Sequence, residues 1–176
     1  MGGANQARAG EGVSHRVSRF LHSVGPTITR LDRALAEEWL THEELRLFLS
    51  QSEADQRHAI AVARLLLQAG YASHDLVVAA LLHDAGKREA SYTPWHRTAI
   101  ALLEAWAPRM LRWLSRRRSR LLAPFAAHVA HPGRGALLAL AAGASERCAC
   151  LVRRHHDSAG ECDQELAMLR WADDHA

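Results

Sequence analysis

Residues that favour β-strands are scarce in this chain of 176 residues, which contains 8 Val, 3 Ile and only 6% aromatic residues. Ala and Leu, the strongest helix formers, number 33 and 25. This imbalance leaves little material for a sheet and predicts an all-α fold. A chain of this length fits one domain and should bury roughly 70% of its unfolded surface, which is enough for a core of its own.

Cysteine and long apolar runs are also scarce. The three cysteines, an odd number, form no CxxC pair, which argues against a disulfide-stabilised secreted protein and favours a reducing compartment. The longest strictly apolar runs, Leu76–Leu82 and Ala136–Ala142, are far shorter than the roughly 18 residues that span a bilayer. The chain start resembles neither a signal peptide nor a myristoylation site, so we expect a soluble, cytoplasmic protein.

Lysine is the rarest charged residue: the chain contains one lysine, Lys87, and 21 arginines. Its net charge is +3. Such a bias is typical of sequences in which arginine has replaced lysine wherever the position tolerates it. The one remaining lysine therefore marks a position where a compact ammonium group is preferred to a planar guanidinium.

Capping residues, glycine and proline divide the chain into helices after residues 1–14, a segment without periodicity that we expect to be a disordered tail. Helices are predicted to begin at Thr41, Ser52, Ser73, Thr93 and Ser145, to end at Gly70 and Gly160, and to be divided by Pro108, Pro124 and Pro132. Leu76–Leu82 is apolar on every side, which predicts a buried central helix. The residue before a proline disfavours α geometry, so His131 is expected at a helix boundary. Residues 15–176 are predicted to form one domain of about eight to ten helices.

The most informative segment is the end of the apolar helix, His83-Asp84-Ala85-Gly86-Lys87. A carboxylate there must be paired or bound to a metal, because an isolated buried charge costs many kcal/mol. A lone His-Asp dipeptide would more often only bond to nearby backbone, but here other candidates lie on other predicted helices: His58, His131, His155, His156 and Asp173. Several neutral imidazoles with two carboxylates favour a first-row transition metal over Ca²⁺, which prefers oxygen ligands.

Over roughly residues 53–175, these motifs resemble the HD superfamily of metal-dependent phosphohydrolases. The superfamily pattern is His, then His-Asp, then Asp, and it is matched by His58, His83-Asp84 and Asp173 within the segments DQRHA, AALLHDAGK and WAD. The resemblance implies an HD-type helical bundle in which these four residues hold one metal ion.

A narrower similarity concerns His131-Pro132-Gly133 followed by His155-His156, as in HDIG and HD-GYP cyclic-dinucleotide phosphodiesterases. The Gly-Tyr-Pro extension is absent, and the layout is most similar to small stand-alone bacterial HD proteins. The resemblance implies a second ion held by these three histidines, with Asp84 bridging the two. Consecutive histidines diverge by about 100° on a helix, so both can border one ion only near a helix end. The expected cofactors are divalent transition metals (Fe, Mn, Zn, Co or Ni), one or two per chain.

The resemblance implies hydrolysis of a phosphate monoester or diester, with a nucleotide as the expected small substrate, through water activated by the metal. We expect Asp84 and Lys87 to be catalytic, and Lys87, one turn after Asp84, to neutralise a phosphate oxygen. Lys87, Arg97 and His128 are the candidates for substrate binding. Two alternatives remain open: an HD-fold di-iron oxygenase, and a non-catalytic HD module that binds a nucleotide or a partner and signals.

Two acidic residues beside these motifs have secondary assignments. Asp55 lies one turn before His58 and is expected to orient its imidazole. Asp174 is the alternative ligand if the register of Asp173 differs by one residue.

A basic segment from Arg109 to Arg120 interleaves six arginines with Trp113 and leucines. It could bind nucleic acid or an anionic membrane surface, or it could be a solvated basic turn. No recognised nucleic-acid motif accompanies it, and the sequence leaves the oligomeric state open.

Overall fold

A computed structural model describes residues 28–87, 93–117, 119–157 and 163–176. Within these ranges the protein has nine α-helices, two 3₁₀ turns and no β-strand, which confirms the all-α prediction. The helices are α1 (Arg30–Trp39), α2 (His42–Leu49), α3 (Glu53–Gln68), α4 (His74–Leu82), α5 (Pro94–Trp106), α6 (Pro108–Ser115), α7 (Ala123–Ala141), α8 (Glu146–Arg154) and α9 (Gln164–His175), with 3₁₀ turns at Ala85–Lys87 and Arg120–Leu122. The tail predicted over residues 1–14 and the helix end predicted at Gly160 lie outside the described residues.

The helix starts follow the capping chemistry of the sequence. Thr41 and Thr93 begin α2 and α5 with reciprocal capping boxes, while Ser52 and Ser145 accept hydrogen bonds from backbone N–H groups three residues later. Ser73 precedes α4 as predicted, but its side chain makes no capping hydrogen bond. Past the end of α3, Gly70 adopts a left-handed φ of 84°. Pro108 and Pro124 lie in the first turns of α6 and α7.

Helix α4 is the centre of the protein. Every residue of Leu76–Leu82 is buried, as its uniform apolarity predicts. It packs against α3, α8 and α9 in the main core. Each buried Leu or Val contributes about 1.5–3 kcal/mol, so the position of His83 and Asp84 at the end of this helix is strongly fixed.

The turn after α4 crosses α7 at a distance that only glycine permits. A Cβ atom on Gly86 would overlap the carbonyl oxygen of His131 and lie 2.7 Å from the amide nitrogen of Gly135. A Cβ on Gly135 is in turn bounded by Val152 on α8. The two glycines thus allow the turn after α4, helix α7 and helix α8 to pack closely together.

Helix α7 continues through Pro132, so the prediction that this proline divides two helices and leaves His131 at a boundary is wrong. Proline cannot donate to the carbonyl oxygen of His128, four residues earlier. The ring Nδ1 of His131 donates to that oxygen instead. Tertiary packing supports the helix on the following turns, where Gly135, Ala136 and Ala139 are buried.

Helices α5 and α6 form a second, smaller apolar cluster on the first turns of α7. Its buried members are Ile100, Leu111 and Phe125. Among the described residues, none of the helices combines the length and the hydropathy that crossing a bilayer requires.

Candidate metal centre

The seven predicted metal ligands meet in one cluster, although they come from α3, α7, α9 and the turns after α4 and α8. They are His58, His83, Asp84, His131, His155, His156 and Asp173. Their ligand atoms form three overlapping groups, each with all its atoms within 4.8 Å of one another: His58, His83 and Asp84; His83, His155 and Asp173; His131, His155 and His156. His58 is half-buried, His156 is exposed and the other five residues are buried. These groups could hold a metal ion.

One half of the cluster gathers the four residues of the His, His-Asp, Asp pattern. His58 Nε2 lies 2.8 Å from Asp173 Oδ1, across 115 residues of sequence. His83 Nε2 lies 3.6 Å from the same Asp173 oxygen and 3.6 Å from Asp84 Oδ2. His83, Asp84 and Asp173 are buried, so these donor atoms face a common space inside the protein.

The other half is built from imidazoles. His131 Nε2 lies 3.3 Å from His155 Nε2 and 3.3 Å from Asp84 Oδ1. The His156 ring centre is 4.2 Å from that of His155 and 5.1 Å from that of His131. Helix α8 ends at Arg154, so the two consecutive histidines lie just past a helix end, as their sharing of one site requires. Asp84 directs one carboxylate oxygen toward each half.

Backbone carbonyls fix the tautomer of the three fully buried histidines. His83 Nδ1 donates to Ala80 O at 2.8 Å and His155 Nδ1 donates to Val152 O at 2.7 Å. Carbonyls in the last turn of a helix have no helical partner and are free to accept. His131 uses the carbonyl that Pro132 leaves without a donor. Because Nδ1 donates to a main-chain carbonyl in all three rings, Nε2 is the nitrogen that each ring presents to the cluster.

Burial keeps these groups in the protonation states that a metal requires. It lowers the pKa of His131 to about 4, assisted by the nearby Lys87 ammonium, and it lowers the pKa of His155 well below the usual value. Burial alone would raise the pKa of Asp84, but Lys87 and His83 hold that pKa well below its usual range. At neutral pH two imidazoles are neutral and the carboxylate is ionised, which are the ligand forms of these side chains.

Whether the cluster suits a cation can be judged from its buried nitrogen and oxygen atoms that accept no hydrogen bond. His83 Nε2 and Asp84 Oδ1 are buried without a hydrogen-bond partner. With the proton on Nδ1 of both rings, the Nε2 atoms of His131 and His155 also face each other as acceptors. Each unsatisfied buried group costs about 1–3 kcal/mol. Cations held in the two halves of the cluster would satisfy these atoms, so the donor set fits metal ions.

Lys87 lies at the edge of the cluster. Its Nζ donates to Asp84 Oδ2 at 2.6 Å, and the side chain is half-buried. The lysine therefore neutralises the carboxylate that both halves share. The Lys87 ammonium thus adds positive charge beside the candidate metal ligands, but it has no lone pair and is not a ligand itself.

The substrate-binding candidates differ in what the structure describes. The His128 ring centre lies 5.2 Å from that of His131 and 6.0 Å from that of His156, at the half-buried rim of the cluster. The side chain of Arg97 lies outside the described residues, so its assignment stays a prediction.

The two acidic neighbours also have defined positions. Asp173 is buried in the cluster and Asp174 is exposed, so the register of the predicted pattern needs no shift. Asp55 accepts a hydrogen bond from the Ser52 hydroxyl at 2.5 Å, at the start of α3. The His58 ring contacts Asp173 through Nε2, and orientation of that ring by Asp55 stays a prediction.

Sequence reasoning missed the residues that support the cluster from outside. Buried Gln51 donates through Nε2 to Leu81 O at 3.0 Å, which satisfies a carbonyl at the end of α4. Gln56 holds Gln51 in turn through a 2.8 Å bond to its carbonyl. A glutamine between two helices gives no sequence signal of this role, whereas the glycine of His83-Asp84-Ala85-Gly86 could have been interpreted as a close backbone approach.

Comparison with protein-family models, with curated proteins and with solved structures finds no match for this chain. Its function must therefore be inferred from the cluster itself.

Proposed function

We propose that the protein is a metal-dependent phosphohydrolase of the HD superfamily, acting on a small phosphate monoester or diester, with a nucleotide as the expected substrate. The observation that carries this proposal is the convergence of His58, His83, Asp84 and Asp173 within one buried space, in the chain order of the superfamily pattern. A fold that served only as a scaffold would have no reason to bury His83 Nε2 and Asp84 Oδ1 side by side without hydrogen-bond partners.

The proposed cofactors are two divalent transition-metal ions. One would be held by His58, His83, Asp84 and Asp173, the other by His131, His155, His156 and the second oxygen of Asp84. Imidazole-rich sites favour Fe, Mn, Zn, Co or Ni over Ca²⁺ or Mg²⁺. Such ions, when bound, lower the pKa of water so that it can act as the nucleophile and offset the charge of a phosphate.

The chain's own contribution is charge placement and shape. Asp84 and Asp173 bring negative charge to a site that would receive an anion, and Lys87 offsets part of it from 2.6 Å. His128 lies at the rim beside His131 and His156, and its proposed role is to contact a substrate oxygen. His83, Asp84, His131, His155 and Asp173 are buried, whereas His58, His128 and Lys87 are half-buried and His156 is exposed.

Lys87 provides the first test of these roles. We expect Lys87→Ala to lower turnover about 100-fold, because the ammonium stabilises developing phosphate charge and does not ligate a metal. Elemental analysis should find unchanged metal content, and Lys87→Arg should restore only part of the rate. Loss of metal from Lys87→Ala, or wild-type rates on every substrate that the protein hydrolyses, would contradict this role.

The number of ions provides a second test. Purified wild-type protein is expected to carry about two transition-metal ions per chain, because three imidazoles and a shared carboxylate nearly complete a second coordination sphere. His131→Ala or His156→Ala should each remove one ion and leave the other. His42→Ala, on an exposed ring of α2 far from the pattern in sequence, is the control and should keep both. A single ion in the wild-type protein, unaffected by His156→Ala, would disprove the second site.

The function itself is tested by metal analysis followed by a substrate panel of nucleoside monophosphates, cyclic mono- and dinucleotides and simple phosphoesters. Release of phosphate or opening of a phosphodiester that stops on chelation supports the proposal. A two-iron centre that consumes O₂ without hydrolysing any of these substrates would favour the oxygenase. Nucleotide binding without turnover by metal-loaded protein would favour a signalling module.

The cytoplasm is the proposed compartment. The cysteines within the described residues, Cys148 and Cys150, are free thiols. Burial raises the pKa of Cys148 to about 12, so it remains an unreactive core thiol. Free thiols are typical of a reducing compartment.

A further inference from the structure

One surface of the protein combines exposed aromatic side chains with arginines, and the metal cluster does not account for it. It is formed by the end of α5, by α6 and by the 3₁₀ turn after it, and we refer to it as the Trp/Arg surface. Its large apolar members are Leu102, Trp106, Met110, Trp113 and Leu121. Trp106 is 72% exposed, Trp113 51% and Leu121 82%. Large apolar side chains gathered this way on a surface mark a site of interaction.

After Glu104, near the end of α5, the charge along the chain is of one sign as far as Ser145. Residues 105–145 contain seven arginines and neither Asp nor Glu, whereas the whole chain has a net charge of only +3. Four of these arginines are exposed in or beside α6: Arg109, Arg112, Arg116 and Arg117. A partner that complements this surface must therefore be anionic.

The inner side of α6 already has its packing partner. Leu111 is buried against Ile100 and Phe125 in the smaller core cluster. Met110 and Trp113 lie on other sides of the same helix and are half exposed. The fold of α6 therefore does not need these outer apolar residues, and their exposure calls for a separate explanation.

We propose that the Trp/Arg surface docks on an anionic phospholipid membrane, with α6 lying in the plane of the headgroups. Tryptophan and arginine are suited to this boundary, because the indole and the arginine stem enter the apolar edge while the guanidinium binds lipid phosphate. The short helix α6 presents Met110 and Trp113 between arginines, which is the composition of an interfacial helix. Attachment of this kind needs no membrane-spanning segment.

Two other occupants suit the surface less well. The Arg117 guanidinium covers one face of the Trp113 ring at 4.3 Å, and a covered ring is a poor platform for stacking a nucleic-acid base. A second copy of the chain would bring two arginine clusters face to face, which like-charge repulsion opposes. An anionic bilayer matches the charge and also receives the apolar side chains.

Sedimentation of the full-length protein with vesicles tests the proposal. Vesicles of phosphatidylcholine alone are compared with vesicles that also contain phosphatidylglycerol, each at low and high salt. We expect binding to the anionic vesicles only, and weaker binding at high salt because salt screens the arginines. Arg112→Glu/Arg116→Glu should lower the partition coefficient at least about 25-fold, since each basic residue near an anionic surface contributes about fivefold. Trp106→Ser/Trp113→Ser should weaken binding and leave its salt dependence in place.

Matched controls come from α1, which is also exposed. Arg30→Glu/Arg33→Glu changes the same amount of charge, and Leu31→Ser removes a side chain that is 76% exposed; both should bind vesicles as the wild type does. Circular dichroism identifies any variant that has lost its fold, and the single changes Arg112→Glu and Trp113→Ser then replace the doubles. The proposal is overturned if anionic vesicles bind no better than neutral ones, or if Arg112→Glu/Arg116→Glu binds them unchanged. It is equally overturned if the same arginines bind oligonucleotides while anionic vesicles are not bound.

Discussion

Asp84→Ala is expected to remove the proposed metal ions and abolish the proposed hydrolysis. The physical reason is that Asp84 faces both halves of the cluster, with Oδ2 3.6 Å from His83 Nε2 and Oδ1 3.3 Å from His131 Nε2. Its removal takes one ligand from each proposed ion and leaves neutral imidazoles without the anion that offsets the metal charge. His83→Ala should likewise abolish metal binding and activity. Elemental analysis of the purified variants measures the outcome.

The neighbouring aspartate of α9 supplies the matched control. Asp174 is an exposed carboxylate next to the buried Asp173, and Asp174→Ala should retain full metal content and activity. Asp84→Asn keeps the shape of the side chain and should behave as Asp84→Ala does, because an uncharged amide is a poor ligand for a divalent ion. Full metal occupancy in Asp84→Ala would refute the assignment of the site.

Gly86→Ala is expected to be the most damaging change that removes no site residue. The added methyl group would collide with the carbonyl of His131 and the amide nitrogen of Gly135. Backbone atoms cannot rotate away as a side chain can, so the turn and α7 must separate. Overpacking of this kind costs about 3 kcal/mol, which corresponds to a fall in Tm of about 6–12 °C at this size. The separation should also draw His131 away from Asp84 and weaken the second ion.

Gly133, on the same helix as His131, provides the comparison. A Cβ atom there meets nothing within 4 Å, so Gly133→Ala should raise stability by up to about 1 kcal/mol through lower entropy of the unfolded chain. Thermal unfolding of the two variants is followed by circular dichroism and accompanied by metal analysis. The comparison separates the destabilising effect of a steric clash from the stabilising effect of higher helix propensity. A wild-type Tm for Gly86→Ala would contradict the close contact between the turn after α4 and helix α7.

The sequence predicts those parts of this protein in which local chemistry and global packing agree. The all-apolar Leu76–Leu82 can only be a buried helix, and the threonine and serine caps place most helix starts correctly. The candidate ligands are predicted from the resemblance to the HD superfamily, and the structure brings those residues together in one cluster. Their convergence in space could not be derived from spacing alone, since the pair His58 and Asp173 is 115 residues apart.

The failures arise where tertiary structure overrides a local rule. Proline ends helices when nothing compensates for its missing N–H, but in α7 packing on both sides maintains the helix and a histidine ring uses the free carbonyl. The capping hydrogen bond of Ser73 is absent; its neighbour Asp75 instead accepts from Ser145 at 2.6 Å. Asp75 and Ser145 are 70 residues apart, so local sequence gives no sign of this contact.

The carbonyl bonds of His83, His131 and His155 also bear on which ion the protein can select. Each ring is attached to the main chain of its own helix, so turning it would require unwinding a helix end or breaking a buried hydrogen bond. At the proposed metal site, movement of a ring outward for a larger cation or inward for a smaller one would weaken its hydrogen bond to the carbonyl. Discrimination between metals of similar ligand preference would then follow from ionic radius, because the protein sets the spacing of its donor atoms before any ion arrives.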